Sequence, residues 1–262
     1  MLFKFKKKKI VVDAFTKNPA AYELFPIQDA KRYIPDWFKE IPASQKMRHP
    51  NNSDIYDEVG TLKNCPGFIN LYKTGFIIPT WCDIQVQLQE SGEHDVYQAG
   101  YDNRSDHVSH PPYQWGAPKN TTFDNLIHIK FHPPWQIKEK SGINFLLTAP
   151  TWNQYPSMIP NIVPGVINAE YSLPPNINTF WPKKSCRYKM EAGTPFAHLV
   201  PLTENDVEIK THLIDSQEWD NNLKNETSMW KWAFFNQYGR MKKEKLKNKE
   251  RNKDSKCPFG FK

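Results

Sequence analysis

His128 and His132 stand four residues apart in and just after the run Leu126-Ile127-His128-Ile129-Lys130-Phe131, whose β-branched and aromatic content reads as a strand. Side chains alternate across a strand, so both imidazoles and the Lys130 ammonium between them share one face. Imidazole is the commonest metal ligand, and a mononuclear iron site takes two histidines and a carboxylate with open positions. His128 and His132 supply part of that set, while the neighbouring ammonium opposes a cation. His94-Asp95 and Asp106-His107-Val108-Ser109-His110 add donors within residues 93–115, which read as a polar loop. Their order spells no metal motif, and surface or partly buried histidines are the plainer account.

Other reaction classes leave fewer traces. The chain has no Gly-rich phosphate loop, no Gly-x-Ser-x-Gly elbow and no His-Glu-x-x-His helix. Serine, histidine and aspartate all occur, but no spacing singles out a triad. Cys65, Cys82, Cys186 and Cys257 are scattered without a Cys-x-x-Cys pair, which suits reduced thiols better than a disulfide framework or a zinc site. Nine tryptophans, several beside proline or glycine, exceed what a plain core needs and suggest interface anchors.

The elements that would position these groups are mostly strands. Between Thr61 and Leu213 the texture is short β-branched and aromatic runs broken by Pro, Gly and Asn: 75–79, 83–88, 126–131, 143–147, 196–200 and 207–209. Strands of four to seven residues at such spacing predict a mainly β barrel or sandwich, with many of the 22 prolines at strand ends and edges. Residues 1–60 read as an N-terminal arm with one or two helical turns at Ile34-Pro35-Asp36-Trp37-Phe38-Lys39-Glu40, closed by Pro42. Residues 214–262 change period. Trp219, Leu223, Trp230, Phe234, Tyr238 and Met241 recur at helical spacing behind the capping candidates Asp215 and Ser216, so an amphipathic helix and a basic tail are expected there. A partial internal echo links Lys73-Thr74-Gly75 and Pro79-Thr80-Trp81 with Lys140-Ser141-Gly142 and Pro150-Thr151-Trp152.

Charge is unevenly spread. Residues 1–10 carry +5 and residues 231–262 carry +8, so the overall +7 leaves residues 11–230 at −6. Nucleic-acid binders concentrate positive charge on the folded surface, because phosphate neutralisation supplies most of their affinity. Here nucleic acid could be touched only through the basic tails. No run of 18 apolar residues marks a membrane span, and the apolar stretch after the N-terminal lysines ends at Asp13, too short for a signal peptide. The expectation is a protein of the cytoplasm.

Pro66, the run Gly75 to Trp81, the strand from Gly142 to Pro150, the turn Glu191-Ala192-Gly193-Thr194-Pro195-Phe196 and the arm Ala30-Lys31 to Pro35-Asp36-Trp37-Phe38-Lys39 together resemble an uncharacterised family of bacteria and tailed phages, over about residues 22–202. That resemblance implies a bacterial-host cytoplasm or virion setting and brings no activity. Four further segments occur in the order of the dUTPase superfamily motifs: Ala99-Gly100-Tyr101-Asp102-Asn103, Thr148-Ala149-Pro150-Thr151, Gly165-Val166-Ile167-Asn168-Ala169-Glu170-Tyr171 and Gly193-Thr194-Pro195-Phe196-Ala197-His198-Leu199. This similarity implies a β-clip fold, with Gly165 and Gly193 at tight turns of φ > 0 that lead into neighbouring strands.

The same comparison removes the chemistry. Where the family has a water-orienting aspartate the chain has Asn168, an amide that cannot act as a general base. Its phosphate-holding Arg-Ser pair falls at Ala149-Pro150. Asp102, Asn168, Glu170, Tyr171 and His198 remain as ligand-contact candidates, with Asp102 and Tyr171 read first as fold residues. The expected protein is a non-catalytic binding or structural protein without a cofactor, working through a protein partner or as a homo-oligomer. The alternative is an enzyme, either a diverged nucleotide-processing β-clip protein or a cupin-like metal-dependent oxygenase using His128 and His132.

Overall fold

The structure, a computed structural model, describes residues 9–49, 51–99, 107–110, 122–154, 160–169, 174–222, 243 and 246–247. Strands β1 (Lys9–Thr16), β2 (Gln28–Asp29), β3 (Ser44–His49) and β4 (Asn52–Gly60) come first, with helices α1 (Pro19–Glu23) and α2 (Asp36–Glu40) among them. Helix α3 (Pro66–Lys73) leads into β5 (Phe76–Pro79), β6 (Ile84–Leu88), β7 (His94–Gln98), β8 (His107–His110), β9 (Leu126–Phe131), β10 (Gln136–Lys138) and β11 (Asn144–Thr148). After α4 (Thr151–Gln154) follow β12 (Asn161–Ile162), β13 (Gly165–Asn168), β14 (Ile177–Pro182), β15 (Cys186–Met190), β16 (Pro195–Pro201) and β17 (Asp206–Leu213).

The chain is mainly β. Its sheets run β10-β1-β17, β13-β11-β16-β5-β2, β12-β14-β9-β8 and β15-β6-β7, with β3 and β4 as a separate pair. No barrel closes among the described residues. The sheets stop at two-residue edge strands such as β2 and β12, and prolines bound their neighbours: Pro79 ends β5, Pro182 ends β14, and Pro195 and Pro201 bracket β16. A proline lacks the N–H a further ladder would need.

Alternation builds the main core. Ile84, Val86 and Leu88 point inward from β6, and Ile127, Ile129 and Phe131 from β9, to meet Ile10, Val12 and Ala14 of β1, Phe145 and Leu147 of β11 and Phe196 of β16. Trp81, Trp135 and Trp181 are fully buried. These three tryptophans serve the core, against the expectation that the aromatic surplus marks interfaces.

Several segments differ from their expected form, residues 9–16 and 93–115 among them. Residues 9–16, placed in an arm, form a strand parallel to β17 along its whole length and antiparallel to β10, because the alternation of Ile10, Val12 and Ala14 offers an apolar face to bury. Residues 93–115, read as a loop, contain β7 and β8; β7 pairs with β6 and β8 with β9, and the polar character reflects edge positions.

Gly193 has φ 83° and turns the chain into β16. Gly165 has no positive φ, and a Cβ there would meet nothing within 4 Å, so the second glycine corner is absent. The strands that follow, β13 and β16, nonetheless share a sheet with β11 between them. The internal echo has a structural counterpart: Gly75 (φ 82°) and Gly142 (φ 81°) precede β5 and β11, which flank β16 on either side. The likeness ends there, since Trp81 is buried and Trp152 is exposed on α4.

By contacts the chain divides into Met1–Ile214 and Asp215–Lys262. In the second unit residues 216–222 are helical, and the Asp215 carboxylate accepts from the Glu218 N–H at 2.8 Å as an N-cap. The aromatic stripe from Leu223 to Met241 lies outside the described residues. No described helix is long and apolar enough to cross a membrane.

Candidate functional site

β9 sends Ile127, Ile129 and Phe131 into the core, and therefore turns His128 and Lys130 to the opposite face of its sheet. His128 lies opposite Phe180 of β14 and His110 of β8; Lys130 lies opposite Asn178 and Val108. The His128 ring meets Phe180 edge-on at 5.5 Å. His132, one residue beyond the strand, places Nδ1 2.7 Å from Asn176 Oδ1. Lys130 is only 6% exposed, and this burial pushes its pKa down. The arrangement sets the Lys130 amine and the His128 imidazole on one face, with His132 just past the strand end. Among the described residues no group of three His, Cys, Asp or Glu side chains could hold a metal ion.

The two described β-clip candidates, Asn168 and His198, lie apart. Asn168 sits at the end of β13 opposite Asn144 of β11, and its Nδ2 donates to Asn144 Oδ1 at 2.9 Å. His198 is buried in β16 opposite Thr148 at the other end of β11, about 14 Å along the strand from Asn144. Its Nε2 lies 2.9 Å from the Thr74 carbonyl oxygen, and burial pushes its pKa down, so the neutral ring donates into the β5 entrance. That is a structural role. Asp102, Glu170 and Tyr171 lie outside the described residues.

Glu139 is a buried acid that the sequence reading missed. Its carboxylate accepts from the backbone N–H groups of Ser141, Gly142 (2.7 Å) and Ile143 (3.2 Å). Burial pushes its pKa up, but these donors together outweigh burial and hold it below the ordinary value. The order Glu-Lys-Ser-Gly was the available signal, since an acid just before a glycine turn can bridge its amides.

A second, smaller core stands apart from the main one. Phe38 stacks on Phe68 at 3.9 Å and Phe68 on Tyr72 at 5.0 Å, ringed by Ile34, Ile41, Leu62, Cys65 and Ile69. The Tyr72 hydroxyl donates to Asn153 Oδ1, Asn153 Nδ2 donates to the Tyr33 carbonyl at 2.7 Å, and Trp37 Nε1 donates to the Trp152 carbonyl at 3.2 Å. From this lobe the β3–β4 ribbon emerges. Its root is clamped by Thr61, whose N–H donates to Ala43 O at 3.0 Å and whose hydroxyl donates to Pro42 O, and by Asn64 Nδ2, which donates to Ala43 O at 2.8 Å.

Beyond that root the ribbon has no third strand among the described residues, and Met47, Tyr56 and Val59 are 55%, 55% and 42% exposed. Ser44, Lys46, Arg48, Tyr56 and Glu58 occupy one face, with the Arg48 guanidinium 5.9 Å from the Tyr56 ring centre; Gln45, Met47, Asp57 and Val59 occupy the other. A ribbon of six paired residues reaches about 20 Å from end to end. Two-stranded ribbons are marginal in water by themselves, and unpaired strand edges invite a further strand. Compared with known proteins, the chain matches no family model, no curated protein and no solved structure.

Proposed function

We propose that this protein is a non-catalytic binding or structural protein that acts through protein contacts, with the β3–β4 ribbon as its contact element. The observation that carries this reading is the ribbon itself: an element anchored at its root by hydrogen bonds to backbone carbonyls, yet open along both edges among the described residues and exposing apolar side chains on both faces. Ordered protein surface of that kind is stabilised when a partner covers it. A β-clip ancestry in a phage-type protein is the setting we favour, supported by the motif order and by β13 and β16 flanking β11 in one sheet.

The test is photo-crosslinking in producing cells, with a photo-reactive amino acid at position 47 and, as a control, at position 202, where Leu202 is exposed just past β16. The expected result is a discrete adduct from position 47 and none from position 202. If position 47 gives no adduct, the ribbon is not a contact element.

A second reading, an enzyme, draws on the buried Lys130 between His128 and His132. An amine with a lowered pKa is more often unprotonated at neutral pH than a solvated lysine, hence more available as base or nucleophile, and the metal-oxygenase variant would use this face. The ammonium weighs against the metal variant while it stays protonated, because it repels a cation bound beside it.

A further inference from the structure

The two strands of the ribbon carry opposite charge. β3 holds Lys46 and Arg48 and no acid, while β4 holds three acids and no base, with Asp57 and Glu58 exposed. Each strand has one edge bonded to the other and one edge open among the described residues. We propose that the partner of this ribbon is a second copy of the same chain, the open β4 edge of one copy pairing with the open β3 edge of the next. This rests on the ribbon being the contact element.

Charge selects this pairing over its alternatives. Joining β3 to β3 sets Lys46 and Arg48 against their own kind, and joining β4 to β4 does the same for Asp57 and Glu58; like charges opposed across a ladder destabilise it. Joining β4 to β3 continues the order already present within one ribbon, where Lys46 faces Glu58 and Met47 faces Asp57. The apolar members then gain cover as well, since the face bearing Met47 and Val59 lies beside its equivalent in the next copy. An isologous dimer is disfavoured by these charges. A head-to-tail contact leaves one open edge at each end of the row, so it propagates until a ring closes or a filament grows.

The experiment compares the full chain with two double variants, Lys46→Glu with Arg48→Glu, and Asp57→Lys with Glu58→Lys, by light scattering and native mass spectrometry at low and high salt. All four positions are exposed, but each reversal also opposes like charges at the Lys46–Glu58 pair of its own ribbon, so circular dichroism checks that the fold is kept and recovery of assembly in the mixture shows that each ribbon survives. The wild type is expected to form oligomers larger than a dimer that weaken as salt rises. Each variant alone should associate at least about tenfold more weakly, since attraction at two positions becomes repulsion. An equimolar mixture should assemble again, because each variant then meets a complementary edge.

A wild type that stays monomeric at low salt up to about 100 μM, a range reaching well past micromolar affinity, overturns the inference. So does a mixture that fails to recover, or a two-fold dimer that ignores both reversals. In the first of these cases an adduct from position 47 whose mass is not a multiple of this chain keeps the contact element and assigns it another protein. Absence of any such adduct removes the contact element itself.

Discussion

Three glycines, each changed to alanine, separate backbone strain from steric blockade. At Gly75 a Cβ would lie 2.1 Å from the Leu199 carbonyl oxygen and 3.1 Å from Pro201 Cδ, with φ at +82°. The backbone there is held in the β5–β16 ladder, where Phe76 pairs with Leu199, so relief requires the two strands to part. Left-handed φ costs a non-glycine residue about 1–2 kcal/mol, and overpacking adds about 1–3 kcal/mol, for a loss of about 2–5 kcal/mol in Gly75→Ala. At Gly193 the same φ cost applies, but the new methyl meets only the Phe25 ring at 3.3 Å, so Gly193→Ala should lose about 1–2 kcal/mol. At Gly165 neither penalty exists, and Gly165→Ala should gain about 0.4–1 kcal/mol from the lower entropy of the unfolded chain. Thermal unfolding followed by circular dichroism reads these as a fall on the order of 10 °C, a fall of a few degrees, and a small rise, at about 2–4 °C per kcal/mol. Equal melting temperatures for the three variants, or a Gly165→Ala protein as damaged as Gly75→Ala, would refute the placement of these turns.

Glu139→Gln should cost about 1.5–3 kcal/mol at neutral pH, because three amides lose an ionised acceptor in a buried turn. The folded pKa is depressed, so the gap between wild type and variant is full above the unfolded value of about 4.3 and closes as pH falls through the folded value; urea titrations across acid pH measure it. His198 is a base with a lowered folded pKa. The unfolded chain therefore takes up the proton first, and wild-type stability should decline as pH drops below about 6.5, a decline that His198→Gln removes. Tyr72→Phe should cost about 1–3 kcal/mol by leaving Asn153 Oδ1 without its donor, with far-ultraviolet dichroism unchanged and the loss visible in denaturant midpoints.

Strands with one buried face were plain in the sequence. The run 126–131 is β9 as observed, and 83–88 and 196–200 lie within a residue or so of β6 and β16, because alternation against a core prints itself in residue type. The ribbon left no such print: both of its faces meet water, so Lys46, Arg48, Asp57 and Glu58 look like turn and loop residues until their pairing is seen. Helix α3 was also passed over. Its signals were present in Pro66 at the first turn and in Phe68 and Tyr72 four residues apart, but a single buried pair in eight residues is outweighed by the surrounding strand texture.

At the β9 site alternation put His128 and Lys130 on one face, while His132 falls one residue past the strand. Depth of burial was not legible, since it depends on what lies across the sheet. The glycine argument held at Gly193 and failed at Gly165, where the chain enters β13 in ordinary extended geometry. Sequence order alone could not tell a required glycine from a tolerated one; only the distance to Leu199 O, Phe25 or empty space does that.

The pairing of β1 with β17 ties almost the first described residues to the last strand of the larger unit, Lys9 to Asp206 and Thr16 to Leu213. During synthesis, roughly 200 residues must leave the ribosome before this parallel partner exists, which at about 5–20 residues per second is ten seconds or more. Throughout that interval Ile10, Val12 and Ala14 lack their final neighbour, and their apolar face waits open for a strand made much later.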